Sequence, residues 1–517
     1  METVEAPYRI DVTAEAGRSL VSTRNLPPGY LLLQEGPAVL GPTALSEPVC
    51  LACHSPTSLL FRCPGCQWPM CSQTCADHPT HADECSVLAQ DTKGVGIPVN
   101  TDATPRYDLI LILRFLLLRK KDPDMWEKLM ALESHWQKRK AENEPHHSAA
   151  VQYFLKVCPM EHEENILHRV RGVIMTNCIS SKTLSGVSLR GLYPTISLLN
   201  HSCKPSVYLR SDKANHLFVH STVEISEGES LLFSYIATGD PYWKRQRELS
   251  DTYYFKCRCE RCIDRTEMNI HFSFLRCEKC ENGYVDPLFN KKKSYKCTTC
   301  KYSTQQAKVM HTCVSIQALY GKADQVHDCR TAMQLLKLVH SKSHGNHYTW
   351  LACAGHVIKS LAQNSSINAL RLKKQLWMRI IDIYSVIEPG MTRRRGISLL
   401  HLGAVSLQLA MLDCNVGRIS RPVMLRQLAA CRGTLDEARA ILRLEPPDTT
   451  EEKWIMMEEK ERRRLDEIME QTQELIDEEY GTAQMRRSEE DNLSLEIGDF
   501  EDTSVKKVDE YEESCTR

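Results

Sequence analysis

Short apolar stretches separated by turn-forming residues dominate the first half of the chain. This pattern predicts strands at 19–23 and 30–34, joined by the turn Pro27-Pro28-Gly29, and further strands at 216–220 and 229–234. Many short strands with turns between them are typical of a compact, mostly β unit.

Two helices are predicted between these strands. The most apolar window, 109–118, is too short to span a bilayer and contains Arg114, so we interpret it as a buried helix. An amphipathic helix follows, because apolar residues recur at helical spacing: Trp126, Leu129, Leu132 and Trp136. No membrane span is expected.

The pattern changes to consecutive long amphipathic segments from about residue 307 to 480. Helices of this length in series predict antiparallel pairs that resemble tetratricopeptide (TPR) repeats. The last predicted helix, 450–479, is highly charged. The acidic tail at 481–517 lacks periodicity and is predicted to be disordered.

Composition narrows the class of protein. With 517 residues, the chain is expected to form two to four domains. A formal net charge of −1 argues against nucleic-acid binding by bulk electrostatics. The first residues do not resemble a signal peptide, so the 23 cysteines are expected to be reduced thiols and metal ligands. Cytoplasm, nucleus or both are the expected locations.

The densest cysteine cluster lies at 50–85. Close pairs of thiols and one His-Cys pair supply donors for two tetrahedral zinc sites, with the first pair joining the third and the second joining the fourth. A segment this short cannot bury its own core, so metal must supply its folding energy. The predicted ligands are Cys50, Cys53, Cys63, Cys66, Cys71, Cys75, His81 and Cys85.

A second cluster combines the stretch Asn200-His201-Ser202-Cys203 with a later CxCxxC motif. Cys203 beside His201 is compatible with a nucleophile and its base, with a metal ligand, or with a polar turn. The later motif supplies three thiolates, Cys257, Cys259 and Cys262, one short of a closed zinc site. A third cluster pairs two CxxC motifs and predicts a zinc ribbon: Cys277, Cys280, Cys297 and Cys300.

These motifs together resemble a known family. The 50–85 segment is similar to a MYND zinc finger, although its stretch between Cys75 and His81 is short and leaves His78 as a competing ligand. The flanking segments resemble a SET domain split by that finger, the arrangement of the SET-and-MYND (SMYD) protein-lysine methyltransferases. The short finger and the later Cys pairs resemble the arthropod class A branch of that family. The SET likeness rests on Gly17-Arg18, the Asn200–Cys203 stretch with Pro205, Gly228-Glu229, Ser234-Tyr235, and Tyr253-x-Phe255 followed by CxCxxC.

The resemblance implies an activity and roles for residues. It implies S-adenosylmethionine as cofactor, Cys203 as the fourth ligand of the CxCxxC zinc site, and Tyr235 as the catalytic residue that aligns the methyl group and the target amine. Three zinc ions are expected, with a fourth in the ribbon. The implied cofactor-binding residues, including those lining the lysine channel, are Gly17, Arg18, Asn177, Asn200, His201, Tyr253 and Phe255.

The expected fold class is α+β and multidomain: a β-rich SET domain interrupted by a MYND finger, with a post-SET zinc site and a TPR-like C-terminal helical domain. The expected boundaries follow the motifs. They are 1–49 for the first SET part, 50–85 for the finger, 86–180 for a linker and helical insert, 181–240 for the SET core, 241–265 for the post-SET segment, 266–305 for the ribbon, 306–480 for the helical domain and 481–517 for the tail.

Expected partners are a protein substrate with a target lysine and, through the finger, proline-containing peptides. Direct sequence-specific nucleic-acid binding is not expected. Two departures from the family pattern favour an alternative, an inactive SET/MYND adaptor for transcriptional regulation. Ser19 stands where a second glycine is usual, and Ser206 where an asparagine is usual. A zinc hydrolase is disfavoured because each cluster supplies a full set of ligands.

Overall fold

The structure is a computed structural model that describes residues 5–14, 17–44, 46–58, 61–91, 106–142, 145–156, 163–287, 295–323 and 329–496. Residues 92–105 of the predicted linker and the tail from residue 497 onward lie outside these ranges. The described strands are β1 (Tyr8–Thr13), β2 (Gly17–Ser22), β3 (Leu31–Glu35), β4 (Val39–Pro42), β5 (Ile179–Lys182), β6 (Ser188–Leu192), β7 (Asn200–His201), β8 (Val207–Ser211), β9 (Leu217–Ser221), β10 (Leu232–Phe233), β11 (Leu275–Arg276), β12 (Tyr284–Val285), β13 (Tyr295–Lys296) and β14 (Ser303–Thr304).

The helices before the C-terminal region are α1 (Gln73–Ala76), α2 (Pro79–Asp91), α3 (Asp108–Lys121), α4 (Pro123–Met130), α5 (Trp136–Glu142), α6 (Pro145–Lys156), α7 (Glu164–Asn177), α8 (Tyr242–Tyr253) and α9 (Glu260–Ile263). The C-terminal helices are α10 (Gln306–Ala323), α11 (Cys329–Lys342), α12 (Tyr348–Ser360), α13 (Ile367–Ile387), α14 (Arg393–Asn415), α15 (Arg421–Leu442) and α16 (Glu452–Glu496). The α+β class with a helical C-terminal region is confirmed; its likeness to TPR pairs stays a prediction.

The β unit consists of small sheets rather than one large sheet. Strands β3, β9 and β8 form one antiparallel sheet in that order, and β4, β6 and β5 form another. The hairpin β1–β2 is antiparallel, whereas β7 and β10 pair in parallel. Each three-stranded sheet joins a strand that precedes the cysteine-rich segment to strands that follow residue 178. The two halves of the unit therefore form one fold around that segment.

The predicted buried helix is α3, which packs under the cysteine-rich segment. Its apolar residues are almost fully buried in a core shared with that segment, for example Ile110, Phe115, Trp68 and Met70. Burial on all sides explains why the apolar run 109–118 shows no polar face.

The predicted amphipathic helix is two helices, α4 and α5, and the single-helix prediction is wrong. The chain breaks at 131–135 because His135 has φ of +50° and the Glu133 carboxylate accepts from the Ser134 and His135 amides at 2.8 and 3.0 Å. The break also packs against α7, where a side chain at Gly172 would lie 2.5 Å from the Ser134 carbonyl oxygen. Tertiary contact therefore overrides the apolar spacing.

The C-terminal helices pack as neighbours along the chain around two apolar clusters. Helix α14 is long and apolar enough to cross a membrane by length and composition, and half of its apolar window is buried inside the protein. It lies between α13 and α15, so the helical core accounts for its apolar face. Helix α16 continues to Glu496, so the first residues of the predicted disordered tail are helical.

Buried polar contacts join the helical region to the β unit. Arg210 of β8 is fully buried and pairs with the Glu445 carboxylate at 3.1 Å, and that carboxylate also pairs with Arg393 at 2.6 Å. Beside this pair, the Met391 amide donates to the Thr222 carbonyl at 2.8 Å. Breaking one member of such a buried ion pair is costly, since the other charge is left without compensation.

Replacing Gly390 with alanine tests this junction. Gly390 has φ of +80°, and a Cβ there would overlap the Thr222 carbonyl. We expect Gly390→Ala to lower the stability by about 2–3 kcal/mol, measured as a lower thermal midpoint. The matched control is Gly417→Ala, which has φ of +72° in open space and should cost only about 1 kcal/mol. Equal midpoints for the two variants would contradict the close approach.

Candidate active site and metal centres

One cleft of about 1300 Å³ contains the predicted cofactor and catalytic residues together. It is larger than a pocket for a single small molecule, which is typically about 300–1,000 Å³. Residues far apart in sequence converge on it from β2, α7, β7, β10 and the chain after α8. The predicted residues that line it are Gly17, Arg18, Asn177, Asn200, His201, Tyr235, Tyr253 and Phe255.

A knot in the chain brings Asn200 and His201 to the cleft. Strand β7, which consists of these two residues, pairs in parallel with Leu232 and Phe233 of β10. The Tyr235 amide then donates to His201 Nδ1 at 3.0 Å. Burial lowers the pKa of His201 to about 4, so the ring is neutral and its other nitrogen, Nε2, carries the proton. Nε2 lies 3.3 Å from the Cys203 sulfur.

The Tyr235 phenol lies at the centre of an aromatic cluster. Its hydroxyl donates to the Leu199 carbonyl at 2.6 Å, and its ring centroid is 5.0 Å from that of Tyr253 and 5.2 Å from that of His201. Phe255 lies on the other side of His201, at 5.9 Å between centroids. Burial raises the pKa of Tyr235, and nearby Tyr253 raises it further. The phenol therefore stays protonated at neutral pH.

Gly17, Arg18 and Asn177 also line the cleft. Gly17 has φ of +65° with no atom within 4 Å of where a Cβ would lie, which leaves room for a ligand against its backbone. Arg18 donates to the Ala131 carbonyl at 2.6 Å, and the Asn177 amide donates to the Glu133 carbonyl at 2.7 Å. Both residues thus hold the 131–135 break in place.

The structure accommodates Ser19 and Ser206, the two departures from the family pattern. Ser19 is buried within β2, opposite Asp11, and it does not have the positive φ that would favour glycine. The Ser206 hydroxyl accepts from the Leu232 amide at 3.1 Å, and the Ser206 amide donates to the Leu232 carbonyl at 2.8 Å. Serine therefore supplies hydrogen bonds across the knot.

Sequence reasoning missed Glu133 and His135, which also line the cleft. The apolar spacing predicts them on the polar face of one continuous helix. In the structure, the break at 131–135 brings both residues to the cleft. Their side chains lie 3.5 Å apart. The polar run Glu133-Ser134-His135 between Leu132 and Trp136 is the only signal that the printed sequence offers.

The finger brings its donors together in two interleaved sets, in the predicted order. Within each set the ligand atoms lie within 4.8 Å of one another. His81 is fully buried and belongs to the second set, whereas His78 is exposed and bonds Thr80 at 2.8 Å. The sets are Cys50, Cys53, Cys71 and Cys75, and Cys63, Cys66, His81 and Cys85.

A buried carboxylate orients the His81 ring. His81 Nε2 faces the Cys66 sulfur at 3.4 Å, while Nδ1 lies 2.9 Å from the Glu84 carboxylate. That carboxylate also pairs with Arg114 of α3 at 2.6 Å, and Arg114 donates to the Leu51 carbonyl at 2.7 Å. A second hydrogen bond of this kind fixes the tautomer of a metal-binding histidine.

Cys203 and the CxCxxC motif also converge. The Cys203 sulfur lies 3.5 Å from that of Cys262 and 4.0 Å from that of Cys257, and with Cys259 the four form one set. This geometry opposes the alternative in which Cys203 is a nucleophile. The ribbon pairs converge in the same way into the set Cys277, Cys280, Cys297 and Cys300.

The donor chemistry of all four sets fits zinc. Thiolate sulfur and imidazole nitrogen in sets of four are the ligands of structural zinc sites, which keep no position for a substrate. Bound zinc would crosslink segments that have few apolar contacts of their own. These centres are therefore structural.

Counting zinc per chain tests the ribbon. We expect four zinc ions in the wild-type protein, by elemental analysis, and three in Gly283→Ala. A Cβ at Gly283 would overlap the Cys297 sulfur and lie 2.6 Å from the Cys280 sulfur. The control is Gly321→Ala, on α10 with open space around it, which should keep four ions. A Gly283→Ala protein that also keeps four would show that the ribbon does not close as described.

Comparison with known proteins shows which sequences this chain resembles. The SET-domain family model matches residues 17–236. The chain is 27% identical to the SET domain-containing protein SmydA-8 of Drosophila melanogaster, over 58% of this chain and 66% of that protein. It is 29% identical to mouse histone-lysine N-methyltransferase SMYD3, over 48% of this chain and 60% of that protein.

A third relative carries both domain names. The chain is 28% identical to SET domain and MYND-type zinc finger protein 6 of Schizosaccharomyces pombe, over 48% of this chain and 51% of that protein. The chain thus spans between about half and two thirds of the length of these relatives. With the SET match, the interleaved finger and the knot in one fold, the chain is similar to the SET-domain proteins of the SET-and-MYND (SMYD) family.

Proposed function

We propose that this chain is an S-adenosylmethionine-dependent protein-lysine N-methyltransferase. The observation that carries the proposal is the convergence of eight predicted site residues, from Gly17 to Phe255, on one cleft. The name of the mouse relative, a histone-lysine N-methyltransferase, supports the same reaction. The cleft exceeds the usual volume for one small ligand, which suits a cofactor and the end of a lysine side chain together.

The residues present fit the cofactor. Its bound sulfonium supplies the reactive methyl group. Gly17 offers open backbone, Arg18 a positive charge, and Asn177, Asn200 and His201 polar side chains at one wall of the cleft. We assign these five residues to cofactor binding.

Tyr235 has an aligning role in this proposal. Its hydroxyl and the Leu199 carbonyl lie 2.6 Å apart and together present oxygen atoms to an incoming amine. The raised pKa of the phenol excludes it as a base near neutral pH, so the lysine amine loses its proton to solvent before it reacts. Tyr253 and Phe255 complete an aromatic wall that keeps water from the amine. Catalysis then rests on orientation and on electrostatic alignment.

The alternative of an inactive adaptor rested on Ser19 and Ser206. Ser19 lies in an extended strand without positive φ, and Ser206 makes hydrogen bonds across the knot. Neither residue changes the wall formed by Asn200, His201 and Tyr235. We therefore favour the enzyme.

The finer assignments are also proposals. We propose histone or non-histone protein substrates, proline-containing peptides as ligands of the finger, no sequence-specific nucleic-acid binding and no membrane attachment. We further propose location in the cytoplasm, the nucleus or both, and membership of the arthropod class A branch. The SmydA-8 relative supports the last assignment.

Isothermal titration of S-adenosylmethionine into the zinc-loaded protein tests cofactor binding. We expect binding by the wild type and an affinity about 10- to 100-fold lower in Asn200→Ala, because a buried polar contact is lost. Asn165→Ala changes an exposed asparagine outside the cleft and should bind as the wild type does. Absence of binding by the wild type at millimolar cofactor would favour the adaptor.

Methyl transfer by Tyr235→Phe tests the catalytic residue. We expect kcat to fall about 10²- to 10³-fold, since an aligning group is removed, while cofactor affinity stays within about twofold of that of the wild type. Tyr193→Phe is the matched control, because this buried phenol also donates to a backbone carbonyl, that of Asn215 at 2.7 Å, but lies outside the cleft. If both variants keep wild-type turnover, the role of Tyr235 is wrong.

A further inference from the structure

The segment 237–240, which begins two residues after Tyr235, is held from two sides by buried charged residues. We infer that Glu388 of the helical region, together with Glu267 behind the CxCxxC centre, positions Tyr235 for methyl transfer through this segment. The inference rests on the proposed function. It makes the helical region part of the catalytic geometry.

Glu267 acts on the segment through two arginines. One oxygen of its carboxylate, Oε2, pairs with Arg245 at 2.8 Å and with Arg261 at 2.8 Å, and all three side chains are at most 1% exposed. Arg245 donates to the Asp240 carbonyl at 2.7 Å, and Arg261 donates to the Thr238 carbonyl at 2.6 Å. The backbone of 238–240 is therefore fixed by two charge-assisted hydrogen bonds.

The same arginines reach the metal centre. Arg245 lies 3.8 Å from the Cys262 sulfur, and Arg261 donates to the Cys203 carbonyl at 3.3 Å. A loaded centre of four thiolates carries a net negative charge, which these buried guanidinium groups offset. The centre and the segment after Tyr235 thus share one electrostatic network.

The backbone that presents Glu267 is held in an uncommon conformation. Glu267, Met268 and Asn269 have successive φ values of +49°, +62° and +64°, and none is glycine. Such residues persist where surrounding contacts hold them, and they cluster at functional sites. Here the Asp264 carboxylate accepts from the Thr266 and Met268 amides at 2.9 and 2.7 Å.

Glu388, directly after α13, acts from the opposite side. Its carboxylate accepts from the Thr238 hydroxyl at 2.7 Å and lies 3.5 Å from the Arg394 guanidinium. Gly239, the residue after Thr238, packs under Tyr384. A Cβ added at Gly239 would lie 3.1 Å from the Tyr384 hydroxyl oxygen. Thr238 and Glu388 are both buried, so water does not replace this hydrogen bond at low cost.

The chain between Tyr235 and Thr238 is short, and its neighbours are hydrogen-bonded. The Ser234 hydroxyl donates to the Ile236 carbonyl at 2.9 Å, and Tyr235 itself bonds His201 and Leu199. A shift of Thr238 therefore moves either the Tyr235 backbone or the knot that it bonds. Misplacement by about 1 Å can cost about 10²-fold in rate.

The experiment compares Glu388→Gln with Glu445→Gln. Both replace a buried carboxylate of the helical region with an amide of the same shape, but Glu445 pairs with Arg210 and Arg393 and does not contact the segment. We expect Glu388→Gln to lower kcat about tenfold, with cofactor KM and zinc content unchanged. Glu445→Gln should lower the thermal midpoint at least as much and leave kcat unchanged.

A second measurement does not depend on activity. Amide hydrogen exchange at 235–240 should be faster in Glu388→Gln and unchanged in Glu445→Gln. Glu388→Gln turns the charge-assisted hydrogen bond from Thr238 into a neutral one, and Thr238→Val removes it, so the double variant Thr238→Val/Glu388→Gln should lose no more activity than Thr238→Val alone. Additive losses would overturn the inference, as would equal exchange in the two glutamine variants.

The two proposals fail differently. A wild-type protein without methyl transfer or cofactor binding overturns the proposed function, whatever the exchange data show. An active wild type whose kcat survives Glu388→Gln overturns only the inference.

Discussion

The pairing of Asn200 and His201 with Leu232 and Phe233 is the constraint on which the active site depends. A ladder of two residues is too short to be stable alone, so other contacts must hold the chain in this knot. Ser206 supplies hydrogen bonds on one side, and Cys203, gathered with three later thiols, supplies a crosslink on the other. Polar groups that belong to a ligand site can then be held rigidly in a region with little regular structure.

Several small units hold the site rigid in this way. The sheets have two or three strands each, and the cysteine sets lie at the finger, the knot and the ribbon. Their apolar residues join those of the finger and α3 in one shared core, and the cysteine sets and buried ion pairs fix the loops and the helical region around it. The cleft lies where these units meet, which explains why its wall draws on residues from Gly17 to Phe255.

Metal spacing could be predicted from the sequence because it is encoded locally, and the cleft residues were implied by short motifs that resemble those of the SET family. A CxxC pair fixes two ligands within one turn, and the Asn200–Cys203 stretch is a contiguous motif. The break at 131–135 could not be predicted, since the apolar spacing of Leu132 and Trp136 favours a continuous helix. It forms because Gly172 of α7 admits the Ser134 carbonyl, a contact between residues that spacing along one helix cannot reveal.

The contacts that join the helical region to the β unit could not be predicted from the sequence either. Arg210 and Glu445 are separated by 235 positions, and each is ordinary in its local sequence. The left-handed turn at Glu267, Met268 and Asn269 has no glycine to announce it. Such features follow from the charges that meet in the folded protein, so a single sequence carries no local signal for them.

The contact between Glu84 and Arg114 has a consequence for the order of folding during synthesis. The finger leaves the ribosome before α3, so its two metal sites can close while the Glu84 carboxylate still lacks its arginine. The β unit can form only later, because β3 pairs with β9 and β4 pairs with β6. Both partner strands follow α3 in the chain. The donor sets of the finger lie wholly within residues 50–85, so the finger can close on metal before the strands of the β unit are complete.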